Sequence, residues 1–94
     1  MKKNKYAQNL QIDTEIDLHG LTDYEGEEVV LDFLNNSRNS GFKVVKIITG
    51  KGIHSAGEPI LKKITREILI QQNLKFSTAK AQDGGSGTLI VNLQ

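Results

Sequence analysis

The order in which strand-like and helix-like segments alternate constrains the fold of this 94-residue chain more than any other feature. Residues 12–18 place apolar side chains at short intervals between acids, which predicts a first strand running toward His19. Residues 43–49 have the β-branched, apolar composition of a buried second strand. Two further strands are predicted over residues 76–81 and 88–93, joined by a glycine-rich turn.

Two helices separate these strands. Thr22 and Glu25 match a capping box, and apolar residues then recur at helical spacing, so a helix is predicted over residues 23–39. Pro59 has the fixed φ angle suited to a first helical position, and an apolar stripe follows it to about residue 72.

The resulting order is βαβαββ, which favours an α/β fold of the two-layer α+β type, with two helices on one four-stranded mixed sheet. The predicted core consists of Ile16, Leu18, Val30, Phe33, Leu34, Val45, Ile47, Ile64, Ile68, Leu89 and Val91. Residues 1–11 are polar and lack periodicity, so we expect a flexible tail before a single domain over residues 12–94.

Composition limits the compartment and the class of site. The chain has no cysteine, and its longest apolar runs contain three residues. These features exclude disulfides and thiolate metal sites, and they predict neither a signal peptide nor a membrane-spanning segment. We therefore expect a cytoplasmic, monomeric protein.

Charge is segregated along the chain, although the net charge is only +1. Residues 6–37 contain eight acids and no Lys or Arg, whereas residues 38–82 contain nine bases and two acids. A basic half suits a polyanion such as nucleic acid. The same segregation also fits two solvated faces that meet through salt bridges, and the sequence leaves both interpretations open.

Chemically versatile residues follow the first two predicted strands. Asp17 and His19 lie two residues apart, so on a strand both side chains point to one side and can form a carboxylate–imidazole pair. Gly50 and Gly52 permit turns whose amides face a phosphate, and Lys51 adds a positive charge. The carboxyl ends of parallel strands share an edge, so the two loops are expected side by side. Each signal alone also fits a structural histidine or a plain turn.

Three segments together resemble the Smr (small MutS-related) domain family. Residues 16–20, IDLHG, look like the DLHG signature, and residues 48–55 look like the TGxG or HGxG loop. Residues 84–91 give a third match in the same order, and the similarity spans about residues 14–93. The resemblance implies a fold similar to the C-terminal domain of translation initiation factor three, with strand order 1-2-4-3.

The resemblance also implies an endonuclease that binds DNA or RNA by structure rather than sequence. Such a domain nicks branched DNA in recombination or repair, or cleaves RNA, including messenger RNA at stalled ribosomes. Asp17 and His19 match the residues tied to cleavage. The residues carried over to nucleic-acid binding are Thr49, Gly50, Lys51, Gly52, His54 and Ser55. Many stand-alone members carry a long N-terminal extension, whereas only about a dozen residues precede the core here.

A second interpretation is a non-catalytic adaptor that binds nucleic acid or a ribosomal surface through the basic half. Cleavage of RNA can use its own 2′-OH with His19 as general base. DNA cleavage needs an activated water and usually a metal ion such as Mg²⁺ or Mn²⁺. Asp17 and His19 supply at most two ligands, so no tight metal site made of protein groups is predicted.

Overall fold

The computed structural model describes residues 11–50 and 59–94, which form the predicted βαβαββ order. The strands are β1 (Thr14–Asp17), β2 (Val44–Ile48), β3 (Lys75–Thr78) and β4 (Thr88–Asn92). The helices are α1 (Asp23–Asn39) and α2 (Ile60–Gln71). The predicted fold class is therefore confirmed. Of the expected tail, only Gln11 lies within the described residues.

The strands form one mixed sheet in the order β1-β2-β4-β3. β1 runs parallel to β2, whereas β4 is antiparallel to both β2 and β3. β4 therefore lies between two strands that precede it in the sequence. This is the order that the family resemblance implied, so that prediction is confirmed.

Asp13 fastens the beginning of β1 to the beginning of β2. Its carboxylate Oδ2 accepts the backbone N–H groups of Lys43 at 2.7 Å and Val44 at 3.1 Å. These two hydrogen bonds, joined by the positive charge of Lys43, hold the pKa of Asp13 below its ordinary value of 3.8. The ionised Asp13 carboxylate thus accepts two backbone amides where β2 begins.

α1 begins and ends at the predicted residues. The Oγ1 atom of its N-cap Thr22 accepts the Glu25 amide at 3.1 Å, and the Glu25 carboxylate accepts the Thr22 amide at 3.0 Å. These reciprocal bonds satisfy amides that a helix N-terminus otherwise leaves unpaired. Gly26 is buried where α1 meets α2. A Cβ atom at this position would overlap the side chain of Leu61, so glycine permits the close approach of the two helices. Glycine within a helix is less favourable than alanine by about 1 kcal/mol, and here this cost is set against the close packing of α1 on α2.

α2 begins one residue later than predicted. Pro59 is the N-cap rather than the first helical residue, because its ψ angle of 139° is extended while its φ of −59° is the usual proline value. The first helical residue is Ile60. The buried side of α2 carries Thr65, Ile68 and Leu69. The apolar stripe predicted Ile68 and Leu69, whereas Ile60 at the beginning of the stripe is exposed.

The connection between β3 and β4 is longer than the predicted turn over residues 83–87. β3 ends at Thr78, and two short 3₁₀ turns follow over Ala81–Asp83 and Gly85–Gly87. Gly84, between these turns, has a φ angle of +120°, and a Cβ atom there would overlap the side chain of Thr88. The glycines thus shape a folded loop that begins before the predicted turn.

One hydrophobic core joins the sheet to both helices. Its buried members are Leu18, Val30, Leu34, Val45, Ile47, Ile68, Leu69, Leu89 and Val91. Every predicted core residue belongs to this cluster or packs against it, with Ile16, Phe33 and Ile64 at its partly buried margin. The helices within the described residues are too short or too polar to span a bilayer.

The two described helices cover the same face of the sheet. Along β2, Val45 and Ile47 are fully buried against them, whereas Lys46 and Ile48 alternate to the opposite side and are half-buried. We call this opposite side the open face. Its members around the centre of the sheet, in register across three strands, are Glu15, Asp17, Lys46, Ile48, Thr88 and Ile90.

Candidate functional site

The ends of several elements meet at one edge of the sheet. β1, β2 and β3 run in one direction, so their carboxyl ends share this edge with the beginning of β4. The backbone N–H of Leu18 donates to the carbonyl of Ile48 at 2.8 Å, which aligns the segment after β1 with the end of β2. The predicted neighbourhood of these two loops is confirmed for their described residues. We call this region the site edge, defined by Asp17, His19, Thr49, Gly50 and Gly87.

Asp17 holds the backbone of the turn that follows β1. Its Oδ1 accepts the backbone N–H of His19 at 2.9 Å, and the chain then turns at Gly20, whose φ angle is +84°. Leu18 is fully buried between them, whereas Asp17 and His19 are exposed. The strand predicted over residues 12–18 is thus found over Thr14–Asp17, and it ends two residues before His19.

The carboxylate–imidazole pair predicted for Asp17 and His19 is not the arrangement found. An aspartate at the end of a strand readily accepts an amide two residues further along, and this Asx turn directs the carboxylate to the main chain. Within residues 11–50 and 59–94, the imidazole of His19 has no hydrogen-bond partner. The ring is therefore exposed at the site edge, where a bound ligand can reach it.

Thr49 and Gly50 are tied to the loop before β4. The backbone N–H groups of Thr49 and Gly50 both donate to the carbonyl of Gly87, at 2.8 and 3.1 Å. The Thr49 hydroxyl donates to the same carbonyl at 3.3 Å, and Thr49 is only 4% exposed. The glycine run of residues 84–87 thus contacts the loop that follows β2 directly.

These bonds change the role available to two predicted binding residues. The turn at Gly50 was expected to offer backbone amides to a phosphate, and Thr49 was carried over as a binding residue from the resemblance, but the amides of both residues are already bonded to Gly87. They instead fix the shape of the site edge. Four other predicted binding residues, Lys51, Gly52, His54 and Ser55, lie outside the described residues.

A cleft beside the site edge was not predicted from the sequence. It lies on the open face over β2 and β4, beside the loop that precedes β4, and has a volume of ≈ 490 Å³. Its lining residues are Lys46, Ile48, Gly50, Gln82, Asp83, Gly84, Gly87 and Thr88. We call it the β2–β4 cleft. The glycine run was the available signal, but the strand order that brings β4 beside β2 is needed to see the cleft.

Charge differs between the two sides of the site edge. α1 begins on the β1 side, with exposed Asp23 and Glu25 in its first turn. α2 begins at the same edge without an acid in its first turn, and Lys62 and Lys63 follow. Exposed Lys80 extends this basic side past the end of β3. Helix N-termini carry partial positive charge, which the lysines reinforce on the α2 side and the acids offset on the α1 side. A polyanion is therefore attracted to the α2 side and repelled from the α1 side.

A family model described as "Smr domain" matches residues 16–94, which is most of the chain and includes the whole site edge. The chain belongs to the Smr domain family. Smr domains are nucleic-acid-binding modules that are often nuclease-related. The resemblance seen in the three sequence segments is thereby confirmed.

Solved structures of other Smr domains share this fold. The Smr domain of Thermus thermophilus MutS2 is 30% identical, with a TM-score of 0.76 over 86% of this chain and 98% of that one. The human small-MutS related domain is 30% identical, with a TM-score of 0.66 over 84% and 99%. YdaL, a stand-alone small MutS-related protein from Escherichia coli, is 25% identical, with a TM-score of 0.78 over 85% of this chain. The match spans 63% of YdaL. No curated protein matched the sequence.

Metal ligands in this Smr domain are sparse in the described part of the chain. No group of three or more His, Asp and Glu side chains lies close enough there to hold a metal ion. Asp17 offers one exposed carboxylate at the site edge. Since Mg²⁺ is usually bound by one or two carboxylates together with substrate phosphates and water, Asp17 suits an ion that arrives with nucleic acid.

Proposed function

We propose that this Smr domain is an endonuclease that binds DNA or RNA at the site edge. One observation carries the proposal: the exposed side chains of Asp17 and His19 follow one of two neighbouring parallel strands, beside the loop that follows the other. Open α/β sheets bind their ligands at such positions. The basic α2 side of this edge supports contact with a phosphate backbone.

For RNA, His19 is the proposed general base. Its imidazole accepts the proton of a 2′-OH, and the 2′-oxygen attacks the adjacent phosphorus. The bond to the 5′-oxygen of the next nucleotide breaks, and that oxygen takes a proton from water, which gives a 2′,3′-cyclic phosphate and a 5′-hydroxyl. Asp17 is a positioning residue in this scheme, because its hydrogen bond to the His19 amide fixes the main chain from which the ring projects. Lys51 is proposed to stabilise the developing charge on the phosphate.

DNA has no 2′-OH, so cleavage requires an activated water. We propose that Asp17 would hold Mg²⁺ or Mn²⁺ together with the bound substrate, and that the ion would supply an activated water. RNA cleavage is therefore expected to survive EDTA and to leave a 5′-hydroxyl. DNA nicking is expected only with added metal. RNA products with 5′-phosphates, formed only when metal is present, would contradict the role of His19.

The proposal is tested with end-labelled branched DNA and structured RNA. The purified protein is compared with Asp17→Ala, His19→Ala and, as a matched control, Asp32→Ala, which removes an exposed acid from α1. We expect cleavage by the unchanged protein and by Asp32→Ala, and its loss in the other two variants. Binding of both substrates without any cleavage by the unchanged protein would instead identify the non-catalytic adaptor.

A further inference from the structure

The β2–β4 cleft and the proposed cleavage residues lie on neighbouring strands. Asp17 is the register partner of Ile48, and Ile48 is the register partner of Thr88. Ile48 and Thr88 line the cleft, and all three residues belong to the open face. Adjacent strands are about 4.8 Å apart. A molecule held in the cleft therefore lies one strand away from the Asp17 carboxylate.

The cleft combines one apolar side chain with several polar groups. Ile48 contributes half-buried apolar surface from β2, and Thr88 is almost entirely buried at the beginning of β4. The exposed amide of Gln82 can donate and accept hydrogen bonds from the loop side. A concave site of this kind can hold the ring of a small molecule against Ile48 while the polar groups fix its orientation.

Lys46 supplies positive charge at the margin of the same cleft. Its Nζ atom lies 3.7 Å from Glu15 Oε1, and the side chain is 21% exposed. This partly exposed ion pair contributes little to folding stability, so the ammonium can contact an incoming phosphate at low cost, and it faces a cleft whose lining also includes the Asp83 carboxylate. The cleft thus offers partners for the aromatic ring and for the backbone charge of one nucleotide.

We propose that the β2–β4 cleft binds an unpaired nucleotide next to the phosphate that is cleaved. This inference rests on the proposed function, and it adds that the substrate must present a single-stranded or extruded base. Gln82 contacts the edge of the base, Ile48 packs against its ring, and Lys46 contacts the flanking phosphate. A base inside a duplex has its hydrogen-bonding edge occupied and its ring stacked, so it cannot enter the cleft.

The test compares oligonucleotides that differ only in their bases. Fluorescein-labelled single-stranded dodecamers of DNA and of 2′-O-methyl RNA are titrated with the protein in EDTA, beside the same backbones with every base removed. We expect the unchanged protein to bind the base-containing strands about tenfold more tightly, because the base-free strands lose one or two hydrogen bonds and some apolar contact. The ratio of these two affinities is the readout, because both strands carry the same phosphate charge.

Gln82→Ala is expected to reduce this ratio several-fold, to the part that apolar contact with Ile48 contributes, while leaving affinity for the base-free backbone unchanged. The matched control is Gln71→Ala, which removes the same exposed side chain at the carboxyl end of α2, at the opposite end of the sheet. It is expected to keep the ratio. A ratio in Gln82→Ala equal to that of the unchanged protein overturns the nucleotide site and leaves the proposed nuclease function intact. Absence of binding to every strand by the unchanged protein overturns both.

Discussion

At the scale of single residues, the placement of Asp17 and His19 at the site edge was predictable, but the hydrogen bond that Asp17 makes there was not. The two-residue spacing placed Asp17 and His19 together, and both are exposed at the edge where the parallel strands end. The sequence could not show which atom the carboxylate would contact. An aspartate can bond either to a neighbouring ring or to a nearby main-chain amide, and here the amide of His19 is its partner.

This difference predicts unequal effects for two substitutions at Asp17. Asp17→Asn keeps an oxygen that can accept the His19 amide, whereas Asp17→Ala removes it. We expect RNA cleavage in EDTA to fall further in Asp17→Ala than in Asp17→Asn. His19→Ala is expected to lose about 10²–10⁴-fold, the usual contribution of a general base. Single-turnover rates measure all three. Equal losses in the two Asp17 variants would show that charge, rather than positioning, is what Asp17 contributes.

Asp13 makes stability depend on pH in a defined direction. Its pKa is lowered in the folded protein by the amides of Lys43 and Val44. The stabilisation from its ionised form is therefore complete above the unfolded value, near 3.8, and is lost as the pH falls through the lower folded value. We expect Asp13→Asn to reduce the difference between urea midpoints measured at about pH 6 and about pH 2.5. An unchanged difference would contradict this assignment.

At the scale of elements, the sequence predicted structure correctly where the hydrogen bonds join residues that are close together in the chain. The capping box of α1 uses only Thr22 and Glu25, so both its presence and the beginning of the helix could be predicted. The loop between β3 and β4 could not be predicted in the same way. Its shape depends on Thr49 and Gly50, almost forty residues earlier in the chain, which bond to Gly87.

The conformation of this loop predicts different costs for alanine at two adjacent glycines. Gly84 has a φ angle of +120° with Thr88 against it, whereas Gly85 has a φ angle of +62° and open space around it. We expect Gly84→Ala to lower the free energy of unfolding by about 1–3 kcal/mol, the cost of a residue held in a strained backbone region. Gly85→Ala should cost less, because its conformation lies in the left-handed region that other residues can enter. Denaturant unfolding of both variants decides the order, and a larger cost at Gly85 would contradict it.

At the scale of the whole molecule, the charge segregation of the sequence persists in the fold. The acids of α1 and the bases of α2 begin at the same edge of the sheet, but on different sides of it. The alternative interpretation, solvated halves joined by salt bridges, has support in the contact between Lys46 and Glu15. Position along the chain could predict the two charge groups. Only the strand order could show that both charge groups adjoin the site edge.

This arrangement predicts a strong effect of salt on nucleic-acid binding. Each phosphate contact releases counterions, so the logarithm of the association constant should fall linearly with the logarithm of salt concentration. We expect Lys51→Ala to weaken binding to all sequences alike and to reduce the slope by about one. The control Lys75→Ala removes an exposed lysine at the opposite end of β3 and should leave the slope unchanged. Fluorescence anisotropy across a salt series measures both, and affinity that is flat in salt or sharply sequence-selective would count against this interface.

The central position of β4 has a consequence for how the domain is made on the ribosome. Until Thr88–Asn92 has been synthesised, β2 and β3 have no strand between them, and Thr49 has no Gly87 carbonyl to bond. A nascent chain that stops before this point exposes unpaired strand edges, which promote aggregation. The site edge is therefore complete only in a chain that reaches β4, because Thr49 and Gly50 then have the Gly87 carbonyl to bond.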